Sequence, residues 1–209
     1  MRTLVDQLAQ YAAYHRDARN IATHLVGIPM IVVAVTVLLS RPTFGAWGAF
    51  ALTPAALVAL AAALFYLRLD LRFGVAMAAL LALSLWAGRA LAAQTTAFWL
   101  GTGLGLFFVG WVIQFVGHYF EGRKPAFVDD LIGLIVGPLF VVAEVAFFAG
   151  LRGDVRDAVE RRVGPVRVGR ATRASEPRRA RWRRSASMAR ARSAAISAAG
   201  CSRAARMSR

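Results

Sequence analysis

The sequence predicts an all-α integral membrane protein: a bundle of four to five membrane segments, with an amphipathic helix before them and a disordered basic tail after them. Hydrophobic residues make up 58% of the 209 residues, and the mean hydropathy is +0.52, which is too apolar for an ordinary soluble domain. Charge is unevenly placed. Residues 1–150 carry 9 basic and 7 acidic residues, whereas residues 151–209 carry 17 arginines and 4 acids. The chain is therefore a nearly neutral apolar body with a cationic end.

Charge-free stretches supply the membrane segments. A helix needs about 20 apolar residues to cross the hydrocarbon layer. Five stretches approach this length: residues 20–40, 42–67, 73–88, 98–117 and 131–151. The first four predict transmembrane helices, and the fifth leaves two arrangements open. Because proline interrupts the hydrogen bonds of a helix, Gly137-Pro138 allows this stretch either to span or to form a re-entrant or interfacial hairpin.

The number of spans also decides the orientation. With four spans, the basic tail lies on the N-terminal side together with Arg16, Arg19 and Arg68, and the positive-inside rule makes that side cytoplasmic. We favour this arrangement over five spans. The membrane would be the cytoplasmic membrane in a bacterium or the endoplasmic reticulum in a eukaryote. We assign residues 1–162 to the membrane domain and residues 163–209 to the tail.

The N-terminus predicts an amphipathic helix that ends before the first span. Leu4, Leu8, Tyr11 and His15 are separated by 4, 3 and 4 residues, so they share one helical face. Residues 17–20 offer Asp and Asn, which break and cap helices. A break here is needed if His15 and His24 are to meet, because nine residues on one continuous helix place them about 180° apart.

The three histidines of the chain are expected at one face of the membrane. His24 lies at the start of the first span, and His118 lies at the end of the fourth, which returns to the same side after an even number of crossings. Neutral imidazole binds iron, zinc and copper. The single cysteine, Cys201, lies in the tail, which excludes a cysteine-based metal site. A catalytic metal held by His15, His24 and His118 is therefore favoured over structural or interfacial histidines.

The fourth span has features of a packed site. Gly103, Gly110 and Gly117 recur every seven residues, and small residues let membrane helices approach closely. Gln114, His118 and Glu121 align on one helical face. Gln114 is expected either to hydrogen-bond a metal ligand or to serve as a packing amide, and Glu121 is a further candidate ligand.

Other ionisable residues lie at the end of the fourth span or after it, and their roles are open. Arg123 and Lys124 either bind the head group of a substrate or anchor the chain at the membrane surface. Asp129 is a metal ligand or the N-cap of the last segment. Glu144, in an apolar stretch, needs a partner or a proton. We expect Asn20 and Glu144, like Gln114, to support the ligands.

Two blocks carry a resemblance to a known family. These are "YAAYHRDARNIATHLVGIP" (11–29) and "WVIQFVGHYFEGRKPAFVDD" (111–130), and a later "GPLFVVAEV" (137–145) also fits. Together they resemble the Mpo-like family of 2-hydroxy fatty acid dioxygenases, which are small multi-spanning membrane proteins. Residues beyond about 163 match nothing in that pattern.

The resemblance implies iron(II)-dependent α-oxidation. A 2-hydroxy fatty acid would react with dioxygen and lose its carboxyl carbon as CO2, in the breakdown of lipids such as long-chain bases. His15, His24 and His118 would be the iron ligands. Arg123 and Lys124 match the internal basic pair of the family, and we infer from their charge that they would meet the substrate carboxylate. The expected partners are the fatty acid, dioxygen and membrane lipid.

Two rival functions remain. The first is a non-enzymatic membrane protein with structural histidines and a tail that binds anionic surfaces. The second is a metal-dependent hydrolase or lipid hydroxylase, although the multi-histidine boxes of such hydroxylases are absent. The Arg, Ala and Ser composition of the tail indicates disorder, and we expect the tail to be dispensable for catalysis, with anionic lipid a better partner for it than nucleic acid.

Overall fold

The computed structural model describes residues 3–47, 50–122 and 132–168, which fall within one compact unit, Met1–Gly169. The described residues form seven helices and one small hairpin. In chain order they are α1 (Leu4–Ala12), α2 (Ala18–Leu38), β1 (Gly45–Trp47), β2 (Phe50–Leu52), α3 (Pro54–Leu69), α4 (Leu71–Ala92), α5 (Thr96–Glu121), α6 (Ile132–Phe148) and α7 (Gly153–Val163). The predicted all-α class is confirmed, with the hairpin as a minor addition.

The predicted N-terminal amphipathic helix is present as α1. Thr3 and Asp6 form a capping box, in which each side chain accepts a hydrogen bond from the backbone N–H of the other. This arrangement satisfies two amides that the first turn leaves without helical partners. Leu4, Leu8 and Tyr11 are buried, and α1 packs against α6 and α7. The apolar face therefore joins the body of the protein.

Helices α2 and α5 pack closely along the glycine stripe. A Cβ atom added at Gly103 would lie 2.6 Å from Leu38 Cδ2, and one added at Gly110 would lie 2.7 Å from Ile31 Cγ1. A Cβ atom at Gly117 would lie 2.1 Å from Thr23 Oγ1. Real Cβ atoms do not approach other atoms so closely, so the backbones can meet only because these positions are glycine. This packing places the start of α2 beside the end of α5.

Three helices are long and apolar enough to cross a membrane: α2, α4 and α5. The pair α6 and α7, bent by 114°, passes the same test if it is counted as one broken span. Large apolar side chains also point outward, with Trp86 70% exposed and Phe108 62% exposed. Such exposure is expected of side chains that face lipid.

The second predicted segment begins later than the sequence indicates. The strands of the hairpin occupy residues 45–47 and 50–52, and α3 begins only at Pro54, after Thr53 caps it by accepting a hydrogen bond from Ala56 N–H. At 16 residues, α3 is about 24 Å long, which is less than a standard span. Charge-free composition alone does not distinguish an apolar hairpin from a helix.

The fifth segment is helical through Pro138, and its bend comes later, at residues 149–152 between α6 and α7. Tyr66, one turn from the end of α3, donates a hydrogen bond to the Ile135 carbonyl. Just after α6, Arg152 forms an ion pair with Asp70, which follows α3. Ile135, near the start of α6, and Arg152, just after its end, thus both contact the region where α3 ends. This placement favours the re-entrant or interfacial arrangement over a full crossing.

Candidate metal centre

The three histidines meet because the chain breaks between α1 and α2. His15 follows α1, and Asp17 starts α2 by accepting a hydrogen bond from Arg19 N–H. His24 then lies in the second turn of α2, and His118 lies in the last turn of α5. One ring nitrogen from each histidine lies within 4.8 Å of the others, and all three side chains are buried.

Hydrogen bonds fix the protonation of two rings. His15 Nδ1 lies 2.7 Å from the Tyr11 carbonyl oxygen, and His24 Nδ1 lies 2.9 Å from the Asn20 carbonyl oxygen. A carbonyl oxygen only accepts, so each Nδ1 carries the hydrogen and each Nε2 presents a lone pair. These two Nε2 atoms face each other at 3.0 Å. Two lone pairs cannot form a hydrogen bond, whereas a cation between them would bind both.

The spacing of His15 and His24 fits one metal ion. Two nitrogens that each bind a metal at about 2.1 Å, with an angle of about 90° between them, are themselves about 3.0 Å apart. Burial and the nearby His24 lower the pKa of His15 to about 2, so its imidazole stays neutral and available to a metal. The donor set and its fixed ring hydrogens therefore suit a metal such as iron.

The rings are also held in place by packing. Tyr11 stacks on His15 with a centroid distance of 4.2 Å and an interplanar angle of 5°. Phe140 of α6 lies 5.7 Å from the same ring. The His118 ring is 5.1 Å from that of His15 and 5.0 Å from that of His24. Aromatic packing of this kind limits ring rotation.

Glu121 lies beside the metal centre and accepts hydrogen bonds from the segment between α1 and α2. Its Oε2 accepts hydrogen bonds from Arg16 N–H at 3.0 Å, Asp17 N–H at 2.8 Å and Asn20 Nδ2 at 3.1 Å. Its Oε1 forms an ion pair with Arg167. Among the described residues, the group that could hold a metal consists of the three histidines. The role of Glu121 as a ligand stays a prediction, and in this structure the side chain supports the backbone that carries the ligands.

Two of the predicted supporting residues lie at the centre. Asn20 is fully buried, and its carbonyl oxygen holds His24. Gln114 is 5% exposed, and its Oε1 has no hydrogen-bond partner within the part of the chain that the structure describes. Glu144 lies farther out, 3.9 Å from the Arg16 guanidinium. Arg123, Lys124 and Asp129 fall outside the described residues, so their roles stay predictions.

A partly open cavity of about 70 Å³ adjoins His24 and His118. Its polar lining comes from His24, His118 and Gln114, and its apolar lining includes Ile31, Val32, Trp111 and Leu134. Trp111 lies seven residues before His118 on α5, which corresponds to about 10 Å along the helix. The cavity thus leads from the histidines toward the membrane interior between α2, α5 and α6.

Comparison with known proteins shows the family of the chain. The sequence model described as 2-hydroxy-palmitic acid dioxygenase Mpo1-like matches residues 1–149. The chain is 31% identical over 159 residues to the Saccharomyces cerevisiae protein named 2-hydroxy-palmitic acid dioxygenase MPO1, covering 75% of this chain and 87% of the yeast protein. The chain belongs to the Mpo1-like family. No solved structure matches it.

The residues matched to the Mpo1-like family include all three histidines, Gln114 and Glu121, and they end before α7. Sequence reasoning missed two contributors to the site. Tyr11 orients His15 through its carbonyl and its ring, and the spacing of four residues between them could have indicated this. Arg167 reaches Glu121 from a region whose composition indicates only a tail, so no sequence signal pointed to it.

Proposed function

We propose that the protein is an iron(II)-dependent dioxygenase that carries out α-oxidation of 2-hydroxy fatty acids. The observation that carries this proposal is the pair of Nε2 atoms of His15 and His24, which face each other at 3.0 Å beside His118. His24 and His118 also line a largely apolar cavity, and the chain belongs to the Mpo1-like family. The named activity of the yeast relative supports the same reaction.

The reaction argues against zinc, and the resemblance to the family favours iron over copper. Three neutral imidazoles suit iron, zinc or copper equally well by ligand type. Oxidation by dioxygen needs a redox-active metal, which zinc is not. Iron(II) bound by the three histidines would supply the one-electron chemistry with dioxygen that side chains lack.

The cavity suits the substrate. The acyl chain would lie along Ile31, Val32 and Trp111, while the 2-hydroxycarboxylate head would reach the histidines. The buried Gln114 amide would accept a hydrogen bond from the 2-hydroxyl group, and the apolar lining would keep water out. The reaction balances as one 2-hydroxy acid plus one dioxygen giving the acid one carbon shorter, one CO2 and one water.

The buried centre argues against purely structural histidines. The Nε2 atoms of His15 and His24 face each other at 3.0 Å, while both Nδ1 atoms are hydrogen-bonded to backbone carbonyls. Buried polar groups are normally hydrogen-bonded, so this arrangement would be unfavourable without a bound cation. We place the site and the N-terminus on the cytoplasmic face, since Arg16, Arg19 and Arg68 lie at this end of the bundle.

Product analysis tests the reaction. We expect purified protein with iron(II), dioxygen and 2-hydroxypalmitic acid, labelled with ¹³C at the carboxyl carbon, to yield unlabelled pentadecanoic acid and labelled CO2. Omitting dioxygen or adding an iron chelator should stop both products. Unchanged substrate would contradict the proposal, and a product that keeps the label would indicate a hydroxylase or hydrolase instead.

Replacing Leu134 by tryptophan should shorten the acyl chains that the enzyme accepts. Leu134 lines the cavity, and a larger side chain would fill space that a long acyl chain needs. We expect kcat/KM for 2-hydroxypalmitate to fall about tenfold or more, while 2-hydroxydecanoate is affected less. Leu57→Trp is the matched control, because Leu57 and Leu134 are both 49% exposed and Leu57 is not a cavity residue. Equal losses for both acids would remove Leu134 from the acyl site.

A further inference from the structure

A short segment after α7 returns to the metal centre. Arg167 N–H donates to the Arg16 carbonyl at 2.6 Å, and Ala18 N–H donates to the Arg167 carbonyl at 3.0 Å. These bonds form a parallel bridge between Asp17 and Arg167. The Arg16 guanidinium also donates to the Gly164 carbonyl at 2.9 Å. We name residues 164–168 the strap, because they bind along the break between α1 and α2.

The strap lies beyond the residues matched to the family. That match ends at residue 149, yet the strap contacts the backbone on both sides of the break. His15 directly precedes Arg16. The Arg16 N–H donates a hydrogen bond to Glu121, and its carbonyl accepts one from Arg167 N–H. The strap therefore acts on the segment that brings His15 to His24.

Glu121 connects the strap to the histidines. Its carboxylate is buried, with the side chain 1% exposed. One carboxylate oxygen accepts hydrogen bonds from the backbone amides of Arg16 and Asp17 and from the side-chain amide of Asn20. Because the Asn20 carbonyl holds His24, this one carboxylate fixes the chain at both His15 and His24.

Such a buried carboxylate needs a cation. Among the described residues, Arg167 is the cation that forms an ion pair with Glu121. Arg16, although adjacent, directs its guanidinium elsewhere: to the carbonyls of Ala12, His15 and Gly164. Arg167 is itself 59% exposed, so its replacement should leave the core intact.

We propose that Glu121 and Arg167 are positioning residues that, through the strap, hold His15 and His24 in the geometry that binds the metal. The inference rests on the metal site of the proposed function. It assigns a role in that site to a segment outside the family match. Neither residue needs to touch the metal, since each acts through the backbone or through Asn20.

Metal binding by full-length variants tests this role, with Co²⁺ as the probe. We expect the Kd for Co²⁺ to rise about 10- to 100-fold in Glu121→Gln and about tenfold in Arg167→Ala, as is usual when partners of metal ligands are lost. The visible spectrum of bound Co²⁺ should change as well. Arg167→Lys should restore part of the affinity, because it keeps the charge. Arg161→Ala, which removes an exposed arginine from α7, is the matched control.

The outcomes separate this inference from the proposed function. In a double-mutant cycle, Arg167→Ala should have little further effect on a protein that already carries Glu121→Gln. Wild-type Co²⁺ affinity and spectrum in both single variants would overturn the inference, provided that His24→Ala still loses the metal. If His24→Ala also binds Co²⁺ normally, the metal site fails and the positioning role fails with it. Should Glu121→Gln not fold, the comparison of Arg167→Ala with Arg167→Lys and Arg161→Ala decides the question.

Discussion

Replacing His24 by alanine is expected to abolish both iron binding and turnover. The change removes one of three buried imidazoles and leaves His15 Nε2 without its counterpart at 3.0 Å. Loss of a catalytic metal removes several kcal/mol of transition-state stabilisation, which corresponds to a fall in kcat on the order of a thousandfold or more. Iron content per protein and the rate of CO2 release from 2-hydroxypalmitate measure the two effects. His15→Ala and His118→Ala should behave alike.

A matched control separates loss of metal from general damage. Ser84 is also a buried polar residue, but its hydroxyl donates to the Leu80 carbonyl of its own helix, α4. Ser84→Ala should therefore keep full iron content and most of the activity. If His24→Ala bound iron as well as the Ser84→Ala protein and turned over at a comparable rate, His24 would be excluded from the site.

The meeting of the three histidines followed from counting membrane crossings. His24 starts one span and His118 ends another, and the even count of crossings between them includes α3. The count holds although α3 is short, because Ala55 at its start donates to the Leu39 carbonyl at the end of α2, and Gly88 near the end of α4 again lies beside Ser40. The glycine stripe of α5 likewise predicted a close helix contact, and its partner is α2. Both inferences rest on periodicity and parity, which a membrane imposes strongly on sequence.

Contacts that depend on detailed geometry could not be predicted in this way. Arg167 is one arginine among many in a region of Arg, Ala and Ser, and nothing in its spacing relates it to Glu121. The partner of Glu144 is similar: no sequence pattern pointed to Arg16, whose guanidinium lies 3.9 Å from the Glu144 carboxylate. An ion pair between residues far apart in the chain produces no repeating pattern in the sequence, whereas the apolar face of a helix does.

The position of the strap changes the expectation for the C-terminal region. The sequence assigns residues 163–209 to a dispensable tail, whereas residues 164–168 contact the histidine-bearing break. This short segment is therefore better considered with the membrane domain. The expectation that the tail is dispensable then applies to the residues that follow it.

Replacing Gly117 by alanine is expected to separate α5 from α2 at the metal centre. The new Cβ atom would lie 2.1 Å from Thr23 Oγ1, 2.6 Å from Asn20 Oδ1 and 3.3 Å from His24 Nδ1. Thr23 and Asn20 would have to move, which disturbs the Asn20 carbonyl that holds His24. Overpacking of this kind costs about 1–3 kcal/mol of stability, and a displacement of about 1 Å in a catalytic site can lower the rate about a hundredfold.

Thermal unfolding, Co²⁺ affinity and kcat should therefore all fall in Gly117→Ala. The matched control is Gly105→Ala on the same helix, where a Cβ atom would meet nothing within 4 Å and where alanine has the higher helix propensity. That variant should be as stable as the wild type or slightly more stable. Equal behaviour of the two variants would mean that α2 and α5 do not pack closely at Gly117, and the proposed meeting of His24 with His118 would lose its structural basis.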